Sequence, residues 1–183
     1  QSSSYKRTRF DDGLVEKCHA NLPDRIKAYL NGRGIIDEVI NKFKLGYGTF
    51  FGKRYITIPI QDEIGYIFFK LRQDPEDGDN KITYPKGEAC LYGLFGTGKQ
   101  VICEGELDAL ALISQGKNAV TSTHGAGTFK ENWVDERFKQ CESIYVCFDN
   151  DEAGKKGAEK ALKAINKQGL RNTYKITLPD EIG

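Results

Sequence analysis

Two short apolar runs that end abruptly in acid constrain this chain more than any other feature. Val101-Ile-Cys103 leads into Glu104, Gly105 and Asp108, and Ile144-Tyr-Val-Cys-Phe148 leads into Asp149 and Asp151. A continuous apolar run bounded by polar residues is the pattern of a strand buried on both faces of a parallel sheet. In open α/β sheets, ligands sit just beyond the carboxyl ends of such strands. Glu104, Asp108, Asp149 and Asp151 are therefore expected along one sheet edge. Asp149 and Asp151 are two apart, which in extended chain turns both side chains the same way. Four acids converging with no evident Lys or Arg partner repel one another unless a cation joins them. Hard oxygen donors favour Mg2+ or Mn2+. A single Asp-x-Asp would pass as an ordinary loop. Two acid-ended strands, each followed by a helix, argue for a site.

From Gln100 onward the pattern reads β-α-β-α-β-α-β. A mostly apolar helix is expected over 107–115, closed by Gly116, and a strand over 118–122. The loop Thr123-His-Gly-Ala-Gly-Thr128 has glycines that would let backbone approach a phosphate or a DNA strand. His124 by itself reads as structural. Trp133 and Phe138 should anchor the next helix in the core. A long helix over 153–167 places Ala158, Ala161, Leu162 and Ile165 inside, and Lys156, Lys160, Lys163 and Lys167 on a solvated face. A last strand is expected over 174–178. Gly93-Leu-Phe-Gly-Thr-Gly-Lys99 matches the start of a P-loop, but Gln100 stands where Ser or Thr should be. The glycines also precede a strand rather than open a helix, so a flexible connection is expected there.

Upstream, residues 1–10 are polar and basic, which suits a linker or an arm touching phosphate. Helices are expected over 24–31 and 37–43, the first led by Pro23 and stopped by Gly32 and Gly34. β signals then run from Phe50 to Tyr84, with strands over 55–60 and 66–71 joined by an acidic turn ending in Gly65. Pro59 suits an edge or a bulge better than a central position. A turn-rich loop over 74–80 precedes a short strand over 81–84. Arg54, Arg72, Lys81 and Lys86 lie near these strands and are the expected phosphate contacts, although each alone reads as surface charge.

The 183 residues and 39% hydrophobic content allow one domain or two small lobes. The organisation expected is a linker or arm over 1–12, a small α+β lobe over 13–99, and an α/β lobe over 100–183 built on a parallel sheet flanked by helices. A net charge of +1 excludes a uniformly basic nucleic-acid binder and leaves only a local basic surface. The five cysteines form no Cys-x-x-Cys pair and the two histidines lie far apart, so no zinc site is expected. An odd number of cysteines points to a reducing, cytoplasmic setting. No apolar run is long enough to span a membrane. The chain lacks methionine and begins at Gln1, from which a piece of a longer protein is expected.

Glu104-Gly105 with Asp108, followed by Asp149-Asn-Asp151-Glu-Ala-Gly154, resembles the two acidic motifs of the TOPRIM domain. That domain is shared by bacterial-type DNA primases, type IA and type II topoisomerases and some nucleases. The likeness covers about residues 100–179. The first lobe adds an ordered series: Tyr29-Leu-x-x-Arg33-Gly-Ile, Gly52-x-Arg54 before Ile58-Pro59-Ile60, Asp62-x-x-Gly65, Lys81-x-x-Tyr84 and Leu91-Tyr-Gly93. It resembles the small lobe that precedes TOPRIM in DnaG-type primases, phage and plasmid forms included. The resemblance implies a nucleotidyltransferase that makes short RNA primers on single-stranded DNA template during DNA replication. It implies Mg2+ or Mn2+ as cofactor, ribonucleoside triphosphates as substrates and a replicative helicase as partner, in the same chain or separate, with no membrane involved. Asp149 and Asp151 would be metal ligands, and Asp108 a ligand or a partner to one. Glu104 would be a ligand through water or the acid/base group. Related primases carry another acidic motif beyond the last strand; Asp180 and Glu181 lie there without matching it. A TOPRIM nuclease and a non-catalytic nucleic-acid-binding module are the alternatives. Nothing resembles the tyrosine-bearing domain of a topoisomerase.

Overall fold

The computed structural model describes residues 10–179. The chain divides into two compact units, residues 1–32 with 37–88, and residues 33–36 with 89–183. The basic stretch over 1–9, and Asp180 and Glu181, lie outside the described residues. No described helix is long and apolar enough to cross a membrane.

The first unit carries helices α1 (Asp12–Ala20), α2 (Asp24–Gly32) and α3 (Asp37–Lys42), followed by an antiparallel sheet in the order β1-β2-β3-β4. The strands are β1 (Gly46–Phe50), β2 (Lys53–Gln61), β3 (Tyr66–Gln73) and β4 (Lys81–Tyr84). Two of these elements, α1 and β1, have no counterpart in the sequence-based expectation. The nine residues of α1 bury only Val15 and Cys18, too few for a periodic signal. Its start is fixed by Asp11, whose carboxylate accepts from the Gly13 N–H at 2.8 Å. Gly46 lets β1 lie against it: a Cβ there would stand 2.4 Å from the Cys18 carbonyl carbon. His19 Nδ1 then bonds the Leu45 carbonyl at 2.7 Å. Val15 and Cys18 close over Tyr55, Phe69 and Leu71 on one face of the sheet. Pro59 sits in β2, a central strand, yet β1 pairs only as far as Thr57, so the missing N–H faces no ladder. The register slips one residue later, between Ile60 and Gln61.

The second unit is a five-stranded sheet in the order β5-β7-β6-β8-β9. Its elements run β5 (Leu91–Gly93), β6 (Lys99–Cys103), α4 (Glu106–Ser114), β7 (Asn118–Ser122), α5 (Asn132–Arg137), β8 (Ser143–Cys147), α6 (Glu152–Lys167) and β9 (Thr173–Ile176). The alternation expected from Gln100 onward is present, and β7, β6, β8 and β9 are parallel. The expected parallel sheet is present, and β5 adds to it an edge strand antiparallel to β7. The same pairing moves the boundary between units from 99/100 to 88/89, because Leu91–Gly93 bonds to the second sheet and not the first. Ile102, Val120, Ile144 and Val146 bury against Ala158, Ala161, Ala164 and Ile165 of α6, with Phe138 beside them. Trp133 and Leu162 pack at the margin of this core.

The glycine-rich stretch between β5 and β6 is no phosphate loop. Gly96 N–H is taken by the Gln100 side chain at 3.1 Å, and a Cβ on Gly96 would stand 2.1 Å from Asn118 Nδ2. The buried Gln100 amide also donates to the Leu94 carbonyl at 3.2 Å, tying the connection down.

Candidate active site

Parallel pairing of β6 with β8 sets Cys103 directly beside Cys147. Both strands run the same way, so both acid-bearing loops leave the same sheet edge. Glu104 turns back across that edge, and its Oε2 accepts the Asp149 N–H at 3.0 Å. Thr121 of β7 donates its hydroxyl to the Glu104 carbonyl at 2.9 Å, which fixes the backbone under the carboxylate. Asp151 is the N-cap of α6, with Oδ1 accepting from Gly154 N–H at 2.7 Å. That leaves Oδ2 for another partner. Asp149 and Asp151 are thus in a strand-to-helix turn, not in the extended chain from which a shared direction was expected.

Two glycines clear the space. A Cβ on Gly154 would stand 2.2 Å from the Asp149 carbonyl oxygen and 2.8 Å from Glu104 Oε2, and one on Gly105 would stand 2.8 Å from Asp108 Oδ2. The motif needs glycine at both places for room, not for unusual torsion angles.

The electrostatics of this edge are acidic. Burial pushes the Glu104 carboxyl above its ordinary range, and Asp149, Asp151 and Asp108 add to the rise, while the Asp149 N–H opposes it. The same field reaches the neighbouring thiols. Burial raises Cys147, with Asp108 and Asp149 contributing, and raises Cys103, with Asp108 contributing. One expected feature is corrected: Asp108 does have a cationic partner. Arg33 Nη2 lies 3.4 Å from Asp108 Oδ1, with both side chains close to half exposed. Local sequence could not reveal the pair, because Arg33 reaches Asp108 from 75 positions away.

Among the described residues, no three His, Cys, Asp or Glu side chains converge closely enough to chelate one ion. The donor set still fits a hard divalent cation in kind. It consists of carboxylate oxygens, one of them already destabilised in its charged form by burial and by the others. Beside it, a pocket of about 100 Å³ is lined by Phe148, Asp149, Gly154, Lys155 and Lys175 among others. Sequence reasoning missed both lysines. Lys155 lies on the first turn of α6, four residues after Asp151, and Lys175 on β9, which only its pairing with β8 brings to the acid edge.

In the first unit the four expected phosphate contacts separate into two kinds. Arg54 grips Asp77 with two bonds, Nε to Oδ2 at 2.8 Å and Nη2 to Oδ1 at 2.6 Å, and lies within 3.9 Å of Asp74 and 3.7 Å of Glu76. Its guanidinium is committed to the loop over 74–80, so its first role is structural. The centre of that loop is Asp74, whose side chain is fully buried and bonds Arg25 and the Tyr47 hydroxyl. Arg72 and Lys81 differ: they sit opposite each other on β3 and β4. Like charges facing across strands repel, and among the described residues no acid pairs with either. Lys70, two positions along β3 from Arg72, bonds Thr83 at 3.1 Å. Lys86 is exposed beyond β4. Of the α6 lysines, Lys156 faces Glu152 at 3.2 Å, Lys160 donates to the Gly127 carbonyl and Lys167 pairs with Glu131 at 2.8 Å.

Residues 101–181 match the family model described as Toprim-like. A DNA primase of Pseudomonas putida is 28% identical over 204 residues, covering 83% of this chain and 31% of its own length. The chain thus spans about a third of the curated relatives it matches. The crystal structure of the Aquifex aeolicus primase (zinc-binding and RNA polymerase domains) superposes with a TM-score of 0.73 at 22% identity, over 92% of this chain and 53% of that one. The primase fragment of the bacteriophage T7 primase-helicase protein superposes with a TM-score of 0.70 at 23% identity, over 98% and 73%. In its acidic motifs, in the order of its two units and in fold, the chain resembles the catalytic core of DnaG-type DNA primases, with a Toprim-like domain in its second half.

Proposed function

We propose that this chain is the catalytic core of a DNA primase, joining ribonucleotides on a single-stranded DNA template. The observation that carries the reading is the convergence of Glu104 and Asp149 at one edge of a Toprim-like sheet, joined by the bond from Asp149 N–H to Glu104 Oε2. A divalent cation, Mg2+ or Mn2+, would draw Glu104, Asp149 and Asp151 together, since they do not already stand at chelating distance, and would lower the pKa of the attacking hydroxyl and offset charge on the leaving phosphates. Asp108 holds Arg33 at the same edge, placing a guanidinium beside the acids where a phosphate oxygen could meet it. Lys155 and Lys175 flank the pocket next to Asp149 and suit a triphosphate. Glu104, whose charged form burial and the neighbouring acids disfavour, is the carboxyl suited to take up the proton. Arg72 and Lys81, left facing each other, are the first unit's phosphate contacts in this reading.

The test incubates the chain with labelled single-stranded template, ribonucleoside triphosphates and Mn2+. Extended ribonucleotide products are expected, and Glu104→Gln should abolish them. Metal-dependent shortening of the template without synthesis, lost in the same variant, would replace this reading with that of a nuclease. A replicative helicase as partner is the further expectation, checked by co-purification with the helicase of the same replication system.

A further inference from the structure

Phe51 occupies a position where its backbone is strained and its side chain is left in water. β1 and β2 are joined by the two residues Phe51 and Gly52, since Phe50 pairs with Lys53. Both turn residues have positive φ, 52° at Phe51 and 74° at Gly52. Turns of this type favour Asn, Asp or Gly first, and a bulky side chain there is an outlier. Phe51 is 69% exposed, so little burial offsets the strain. Strain that folding does not repay points to function.

The exposed ring is nonetheless held firmly. It meets the Tyr84 ring nearly at right angles, with centroids 5.3 Å apart. Tyr84 leans on Phe50 at 5.6 Å, and Phe50 on the buried Phe69 at 5.9 Å. A chain of rings therefore fixes an exposed aromatic surface to the core of the first unit, so ordering it on binding costs little entropy. Two lysines are its near neighbours in the chain. Lys53 and Lys86 are exposed, two positions along the chain from Phe51 and Tyr84 respectively, and neither has an acid partner among the described residues.

We propose that Phe51 and Tyr84, flanked by Lys53 and Lys86, form a platform on which one unpaired base of single-stranded nucleic acid stacks. Flat rings edged with lysines match a base joined to phosphates. A duplex keeps its bases stacked on one another and offers no such face. A peptide would need a wider apolar patch than one ring. The inference rests on the reading that this chain binds a single-stranded template, and adds to it a contact carried by the first unit.

The test measures anisotropy of a labelled oligothymidylate and of the same oligonucleotide with abasic sites, across a salt series. Phe51→Ala should weaken binding of the base-bearing strand roughly tenfold, leave its salt slope unchanged, and leave abasic binding unchanged. Phe51→Trp should retain binding. Lys53→Ala with Lys86→Ala should flatten the salt slope by about 1.4, at roughly 0.7 per phosphate contact on a single strand. Phe51→Asn, which suits the turn, guards against a folding artefact and should behave as Phe51→Ala. If wild type binds and Phe51→Ala binds as tightly, or loses as much on the abasic strand, the platform is refuted while template binding stands. If wild type binds neither strand, the functional reading fails with it.

Discussion

Asp74 and Glu104 are both carboxylates drawn out of water, and their surroundings push them in opposite directions. Arg25 beside Asp74 holds its carboxyl well below the usual range, with Tyr47 and a backbone N–H assisting against burial. A depressed folded pKa contributes stability that is present above the unfolded value, about 3.9, and lost as pH falls through the folded one. Asp74→Asn should therefore destabilise the chain at neutral pH by about 3 kcal/mol, the low end for a broken buried pair because Arg25 can recover water. In urea unfolding the gap should narrow as pH drops below about 4. Glu104 has the reverse sign. Its folded pKa is raised, so its contribution is best below the unfolded value, about 4.3, and declines as pH rises towards the folded one. With EDTA present at neutral pH, Glu104→Gln should melt at or above the wild-type temperature, keeping an oxygen for the Asp149 N–H. A large loss of stability would show Glu104 to be structural.

The turn after β8 shows how an element reconciles a cap with a candidate ligand. Asp151 caps α6 through one carboxylate oxygen, and Asn caps as well as Asp. Asp151→Asn should therefore leave the helix intact while removing the charge. Gly154 has no such latitude, with the Asp149 carbonyl 2.2 Å from where its Cβ would be. Gly154→Ala must move that backbone, and we expect it to remove catalytic activity even where circular dichroism shows the helices retained. In the β1–β2 turn, replacing the left-handed Phe51 with Asn should raise stability by about 1 kcal/mol, read from the unfolding midpoint in urea. Stability and nucleic-acid affinity would then move in opposite directions at one position.

At the scale of the whole molecule, a net charge of +1 makes the acid edge a local concentration of charge and not part of a general acidity. Added Mg2+ or Mn2+ should stabilise the folded state by mass action, by about 2.7 kcal/mol at a hundred times the dissociation constant. Calorimetry should show that rise in wild type and lose it in Asp149→Asn with Asp151→Asn, whose fold the Asn cap preserves. A response that persists in the double variant would place the cation elsewhere. Binding to template should fall with salt along a slope set by the few phosphates that local cations such as Arg72 and Lys81 neutralise, about 0.7 for each on a single strand.

Local pattern by itself determined which segments become strands and helices where the pattern was strong. The hairpin around the turn ending in Gly65, the strand at Asn118–Ser122, the long lysine-edged helix and both acid-ended strands were all legible, because period and punctuation are properties of neighbouring residues. Elements with little apolar patterning were not. The nine residues of α1 and the glycine-bearing β1 are held by contact with each other, with Gly46 against Cys18, and carry little signal alone. The acid motifs were legible as types and spacings, but their meeting was not. It depends on the register that sets Cys103 beside Cys147, fixed by the packing of Ile102, Ile144 and Val146 under α6. Long-range partners were beyond the sequence for the same reason. Arg33 comes to Asp108, Arg54 is held by Asp77, and Lys175 is carried to Asp149 by the edge strand β9. The sequence settles which charges exist and on what kind of element they sit. Only the fold, by fixing distances between residues far apart in the chain, decides which of them neutralise one another and which are left for a ligand.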